Sequence, residues 1–326
     1  MNTEMLKQRS AVIKAIRAFF DGQGYVEMHT PRLVGIPSQE PHLEPLWTEV
    51  LGIDASRHPA ALITSPEHAL KRLLAAGMDK VYDLGSCFRN GEPWDGTHDP
   101  EFLMIEWYRK QANLASLMDE TEAMVRAVHG TILPVIFSMP ERPFRRLTVT
   151  DAWRHYAGID LIPLLENREA MAAAARAHDQ VVNEEDTWDD LYYKIFLSKI
   201  EPHVGEEPTF LYRYPASQAG LSLRSADDTR FADRVEFYIG GMELANGFAE
   251  LSDAAEQRAR FQEDVRLRAA LHKKTWLLDE PFLKALPGMG EAVGIALGVD
   301  RLVMLLTGAT SINDVIPFSA RERFTH

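Results

Sequence analysis

Residues 85–108, GSCFRNGEPWDGTHDPEFLMIEWY, bring an arginine, a run of turn formers, an aromatic and carboxylates into one short stretch. Arg89 follows a strand-like run, and its planar fork of donors suits a phosphate oxygen. Phe102 offers a face for stacking on a purine, and Glu106 offers negative charge to a cation. Gly91, Pro93, Asp95 and Gly96 place a loop between them. The chemistry these residues suggest is a nucleotide held beside an amine.

Two further segments, VEFYIGGMELANGFAEL at 235–251 and GIALGVDRLVML at 294–305, add carboxylates and a second arginine, Arg301. Near the start, AIRAFFDGQGYVEMHTP reads as helix, strand, proline. Together with SPEHALKRLL at 65–74 and PTFLYRYPAS at 208–217, these segments resemble the three signature motifs of the class II aminoacyl-tRNA synthetase catalytic domain, above all that of lysyl-tRNA synthetase, and the likeness covers nearly the whole chain. It implies an α/β (α+β) fold: a mixed, mainly antiparallel sheet flanked by helices. It also implies a homodimer, because the first motif forms the dimer interface in that family. A lysyl-tRNA synthetase carries an N-terminal barrel that reads the anticodon, whereas this sequence enters the first catalytic helix almost at Met1. The expectation is therefore one class II-like catalytic domain over 1–326, no anticodon-binding domain, no reading of a tRNA anticodon, and similarity to the elongation factor P (R)-β-lysine ligases. These charge a lysine side chain of a protein.

The resemblance assigns roles residue by residue. Arg89 matches the motif 2 arginine that holds the α-phosphate and the reacting carboxylate, and Arg301 the motif 3 arginine near the γ-phosphate; both would be catalytic. Asn90, Gly91, Glu92, His98, Asp99, Phe102, Glu243, Leu244 and Gly298 join them as the ATP site, with Phe102 stacking on adenine. Glu236 and Glu243 match carboxylates that hold Mg2+ against the phosphates, a hard cation content with few protein oxygens. Ser65, Pro66, Glu67, Glu106, Tyr108, Asn246, Phe248, Glu250 and Ala296 correspond to the lysine pocket. A substrate with two ammonium groups needs opposing carboxylates in a confined space, and so many carboxylates repel one another without cations present. Lysyl-tRNA synthetases usually have alanine and glycine where this chain has Ser65 and Ala296, as the elongation factor P ligases do.

Two positions depart from the pattern. Motif 2 normally continues Arg, any residue, Glu, but Gly91 stands at that glutamate's place and Glu92 follows. Either Gly91 is an insertion that leaves Glu92 in the adenine-contacting role, or that contact is weakened. Asp99 replaces the asparagine of HNPEF, an acceptor-only group in place of an amide. The activity implied is ATP-dependent activation of (R)-β-lysine and its transfer to a lysine ε-amine of elongation factor P. Alternatives are an activating enzyme for α-lysine or another diamino acid with a different acceptor, and a catalytically silent lysine- or nucleotide-binding paralogue.

Several elements must position these groups. Met5, Val12, Ile13, Ile16, Phe19 and Phe20 recur near helical spacing until Gly22, and YVEMH alternates as a strand up to Pro31. Residues 35–60 read as a loop or irregular strands over the site. Residues 113–130 carry an apolar stripe on an amphipathic helix. Residues 168–178 and 186–202 read as helices, forming a helical insertion at about 160–205, and a charged helix runs from about Asp253 to Leu271 with Ser252 as N-cap.

Composition bounds the rest. With 46% hydrophobic residues in 326, there is ample material for the core of one large domain. The 48 acidic residues against 35 basic give a net charge of −13, which argues against a broad nucleic-acid surface. Cys87 is the only cysteine, so no intrachain disulfide and no multi-cysteine zinc site can form, and it reads as a small buried apolar residue. No apolar run is long enough to span a bilayer, and a cytoplasmic protein without membrane partners is expected.

Overall fold

The computed structural model describes residues 2–132 and 137–324. The chain divides into two compact units, Met1–Met139 with Leu251–His326, and Pro140–Glu250. Strands are numbered in chain order: β1 Val26–Glu27, β2 Leu33–Val34, β3 Leu46–Leu51, β4 Arg57–Leu62, β5 Lys80–Phe88 and β6 Glu101–Lys110. Then follow β7 Arg145–Thr148, β8 Thr209–Pro215, β9 Phe231–Ile239, β10 Met242–Ala249 and β11 Ala292–Gly298.

In the first unit, β1, β5, β6 and β11 lie side by side in that order, β1 parallel to β5 and the other pairs antiparallel. The middle of β6, Met104 to Tyr108, is buried without alternation, as expected of a strand covered on both faces. Helix Thr3–Gly22 starts on Asn2, whose side chain accepts from Glu4 N and Met5 N, and it buries Val12, Ile16 and Phe20. Phe20 lies 5.1 Å from Tyr82 of β5 and 5.0 Å from Trp107 of β6, so the first helix is seated on the sheet by aromatic packing.

The strand expected up to Pro31 is only Val26–Glu27. Beyond it, Thr30 turns both its N–H (2.8 Å) and its hydroxyl (2.7 Å) to the carboxylate of Asp83 instead of to a ladder. Asp83 also takes the guanidinium of Arg32, and a Cβ at Gly85 would lie 1.8 Å from Arg32 Nη2, so glycine there makes room for that pair. The region expected to read as a loop or irregular strands over 35–60 holds the regular antiparallel pair β3-β4, joined on the far side of β4 by β2, while residues 35–45 and the turn at 52–56 lack strands.

Helix Leu114–His129 begins with Asn113 and Ser116 in a reciprocal capping box. Helix Ala254–Ala270 is capped by Asp253 and not by Ser252, because the Asp253 carboxylate accepts from Ala255 N (2.8 Å) and Glu256 N (2.9 Å).

In the second unit β7 is parallel to β8, and β8, β9 and β10 are antiparallel neighbours. Helices Arg168–Ala177 and Trp188–Ile195 bury Met171, Ala172, Ala175, Leu191, Tyr192 and Ile195 in one core with Leu147, Leu211, Tyr214 and Tyr238 of the strands. The expected helical segment thus shares its core with the sheet of its own unit. No helix among the described residues is long and apolar enough to cross a membrane.

Candidate active site

One face of β6 carries Phe102, Met104 and Glu106 at every second position, the period of a strand. Phe102 to Glu106 spans roughly 13 Å at about 3.3 Å per residue. Glu106 is buried, and its two oxygens are each engaged: Ser65 Oγ donates to one at 2.6 Å and Tyr108 Oη to the other at 2.9 Å. Ala296 of β11 stands directly opposite Glu106, so its methyl lies beside that carboxylate on the same face. Ser65 and Ala296 therefore adjoin one side chain. Burial and then the charge of Glu67 push the Glu106 carboxyl up to about 8, against the lowering effect of its two hydroxyl donors.

Glu67 opens helix Glu67–Ala75 directly after Pro66, and its N–H donates to Ser65 Oγ at 3.0 Å. Its carboxylate is buried and bonded by the equally buried ammonium of Lys71, one turn on. Lys71 escaped the sequence reading, although a charged pair four apart was visible in SPEHALK. A third carboxylate, Glu40, was missed because it sits in the irregular stretch before β3. Ser38 Oγ donates to it at 3.1 Å and lies 2.9 Å from Thr64 Oγ1, next to Ser65.

Toward the other end of the β6 face, the Arg89 guanidinium lies 5.1 Å from the Phe102 ring centre. Its Nε is buried and has no hydrogen-bond partner, a donor left open where polar groups are almost always paired. Cys87 is buried against Ile63 and Met104, with Phe102 and Ala296 packed on the same cluster, as expected of a small apolar side chain. The loop after Arg89 is tied down at Asn90, whose N–H donates to Glu44 O at 2.7 Å. Gly91 has φ +75°, a conformation that strains a glutamate, and this favours Gly91 as the inserted residue with Glu92 next in line. Glu92 lies 3.8 Å from His98 Nε2.

Arg301, in helix Val299–Thr307 directly after Gly298, donates from Nη2 to His98 Nε2 at 2.9 Å. That fixes the proton of a neutral His98 on Nδ1, where Asp95 Oδ1 (3.2 Å) and Thr97 Oγ1 (2.9 Å) are in reach. Asp300, its neighbour, accepts from Arg9 at 2.9 Å and from Leu103 N at 2.6 Å.

Asp99, expected in the ATP site, has its carboxylate engaged within the protein. It is buried, and its carboxylate accepts from Ala320 N (2.6 Å), Arg323 Nη2 (2.8 Å) and Glu101 N (3.1 Å). Those bonds latch helix Ala320–Phe324 to the start of β6. An acceptor-only side chain suits three donors, which explains aspartate where the family has asparagine.

In the second unit, Glu236 of β9 accepts from Tyr214, from Tyr238 at 2.7 Å and from Arg234 at 2.5 Å. Arg234 reaches on to Asn246 Oδ1 at 3.2 Å and to Gln218 O at 2.9 Å. Burial and the Glu236 charge raise both tyrosines well above their ordinary range, so they stay donors. Glu243 pairs across from Tyr238 and so shares a sheet face with Glu236. Leu244 is buried, Phe248 half-buried, and Glu250 buried beside a bridge to Ser222. None of the arginine and tyrosine partners of Glu236 was singled out from sequence.

Among the described residues no group of three or more His, Cys, Asp or Glu side chains is arranged to hold a metal. Two carboxylates on one face nonetheless fit Mg2+, which takes one or two from protein and the rest from phosphate and water. Three donors on Glu236 leave about one of its roughly four lone-pair directions for such an ion.

The family model for tRNA synthetases class II (D, K and N) matches residues 1–322. Three curated relatives are similar along nearly their whole length, each named elongation factor P (R)-β-lysine ligase. The protein from Proteus mirabilis is 40% identical over 318 residues, 96% of this chain and 94% of its own. That from Photorhabdus laumondii is 40% identical over 319 residues, with the same shares covered. That from Salmonella paratyphi B is 39% identical over 317 residues, again with 96% and 94% covered. With the β6 face, the Arg89 and Arg301 sites and these matches in hand, the chain belongs to the class II tRNA synthetases of the D, K and N type.

Proposed function

We propose that this chain activates (R)-β-lysine with ATP and passes it to a lysine of elongation factor P. The observation that carries the reading is the β6 face itself. It runs from Phe102, under an arginine with an unpartnered buried donor, to Glu106, whose neighbours Ser65 and Ala296 are the residues that depart from lysyl-tRNA synthetases. The relatives' shared name supports the same substrate and acceptor.

In the first step a carboxylate oxygen of β-lysine attacks the α-phosphorus of ATP and pyrophosphate leaves. Arg89 takes the negative charge that gathers on the α-phosphate and holds the reacting carboxylate in line, and Phe102 stacks on the base. Arg301, with His98 fixing its guanidinium, takes charge from the outer phosphates. Glu236 and Glu243 would hold Mg2+, which when bound neutralises phosphate charge. Glu67, Glu106 and Tyr108 receive the ammonium groups. In the second step the ε-nitrogen of the acceptor lysine, as the free amine, attacks the acyl carbon; AMP leaves, the amide forms, and the nitrogen gives up a proton. No covalent bond to the enzyme is needed. A cytoplasmic homodimer completes the reading.

The test is ATP–pyrophosphate exchange with (R)-β-lysine, α-lysine or no amino acid, followed by mass spectrometry of elongation factor P after incubation with β-lysine and ATP. Exchange favouring β-lysine and a mass increase on one lysine are expected. Exchange with α-lysine alone, or an unmodified elongation factor, overturns the reading.

A further inference from the structure

Resting on the activation reading above, we propose that Asp300 and Arg9 are positioning residues of the nucleotide site: their ion pair fixes the Phe102 ring and the Arg301 guanidinium at the separation that ATP spans. The ladder between β11 and β6 ends at Gly298 opposite Met104, and the chain turns there into helix Val299–Thr307. Leu103 is the next residue of β6, past the end of β11, and its N–H donates to Asp300 Oδ2 at 2.6 Å. A side chain thus carries the ladder one step further. The other oxygen, Oδ1, meets Nε and Nη2 of Arg9, each at 2.9 Å, from helix Thr3–Gly22. Three donors on two oxygens suit an ionised carboxylate, which only accepts.

One carboxylate therefore stands a single residue away from each of two groups assigned to the nucleotide. Leu103 adjoins Phe102, which stacks on the base in that reading, and Asp300 adjoins Arg301, which takes charge from the outer phosphates. His98 steers the same guanidinium from the loop side, at 2.9 Å from Arg301 Nη2. The Asp300 side chain is 2% exposed and that of Arg9 19%, so water screens the pair little. Two weak contacts joined in one ligand reinforce each other only when the protein holds them at the ligand's own spacing. With the spacing lost, each end still binds its fragment, while the whole ligand forfeits the gain from linkage.

Substitutions separate the parts of this device. Asp300→Asn keeps the size of the side chain, but the amide has one acceptor oxygen in place of two. It can satisfy the Leu103 N–H or Arg9, and it sets its NH2 group against the other. Arg9→Met leaves the buried carboxylate without its counter-ion. Arg9→Lys offers a single ammonium to Oδ1 in place of a fork.

The experiment measures binding of ATP, adenosine and inorganic tripolyphosphate, each with Mg2+, to the full chain and to these variants by calorimetry and ligand-observed NMR. Asp300→Asn and Arg9→Met should weaken ATP by about tenfold, with Arg9→Lys between them and the parent. Adenosine reads the Phe102 end alone and tripolyphosphate the phosphate end alone. Both should stay within about twofold, which also shows that the variants are folded. Unchanged ATP binding, or a fragment weakened as much as ATP, overturns the assignment while leaving the activation reading intact. So does a parent chain that binds ATP but neither fragment. A parent chain that does not bind ATP overturns both.

Discussion

The hydroxyl of Ser65 donates to the carboxylate of Glu106 at 2.6 Å and at the same time caps the N–H of Glu67 at 3.0 Å. One small side chain thus orients two of the pocket's carboxylates. Ser65→Ala removes a hydrogen bond of about 1–1.5 kcal/mol. The KM for β-lysine in the exchange assay is expected to rise about fivefold to tenfold with kcat nearly unchanged. An unaltered KM would detach the hydroxyl from substrate recognition.

The resting Glu106 carboxyl holds its proton above neutrality, and an incoming ammonium group must displace it. Binding of β-lysine should therefore release a proton below about pH 8 and tighten as pH rises toward that value, by at most about tenfold per unit. Stability runs the other way. Native Glu106 keeps a proton that the unfolded chain has lost, so its contribution is full below the ordinary glutamate range and fades as pH rises through that range toward 8. Calorimetric titrations in buffers of different ionisation enthalpy measure the released proton, and Glu106→Gln should abolish both trends.

Lys71 neutralises Glu67 in a place where neither side chain meets much water. Lys71→Met leaves a buried carboxylate without its counter-ion and should cost about 3–5 kcal/mol of stability in urea unfolding. Adding Glu67→Leu should restore most of that loss while exchange activity stays absent. A single variant as stable as the parent would mean that Glu67 finds another partner.

Arg301→Ala is expected to lower kcat/KM for exchange by about a hundredfold to a thousandfold, the scale of losing one positioned donor to developing charge. His98→Ala should produce a smaller loss, because it frees the Arg301 guanidinium without removing it. Equal activity of all three proteins would remove Arg301 from the phosphate site.

Asp99 offers a contrast, since its carboxylate holds the C-terminal helix. Asp99→Ala should leave the KM for ATP within about twofold, lower stability by about 1–3 kcal/mol, and speed proteolysis at the helix Ala320–Phe324. A large rise in the KM for ATP with an intact C-terminus would return the residue to the nucleotide site.

The site's outline was legible where residue type and local spacing act together. The helix at Leu114–His129 follows from its stripe, Arg89 and Phe102 stand out by residue type on either side of a turn-rich loop, and the class II likeness comes from motifs that each lie in one short segment. What could not be read were pairings between distant positions. Arg323 beside Asp99, Arg9 beside Asp300 and Arg268 beneath residues 40–44 join segments more than two hundred residues apart, and no local pattern encodes them. Capping by Asp253 instead of Ser252 was a shift of one residue between two competent caps. Glu40 was hidden by its setting, a stretch rich in proline and histidine with no periodicity to mark an inward-facing side chain.

The five hydrogen bonds that Arg268 directs from three nitrogens at residues 40–44 and 274 leave the stretch before β3 little freedom to swing. Lys273 and Trp276 add bonds to Pro41 O and Pro37 O. The backbone of this stretch is therefore in place before any ligand arrives. An incoming acid is measured against a fixed template, so little of its affinity is consumed in ordering the chain around it.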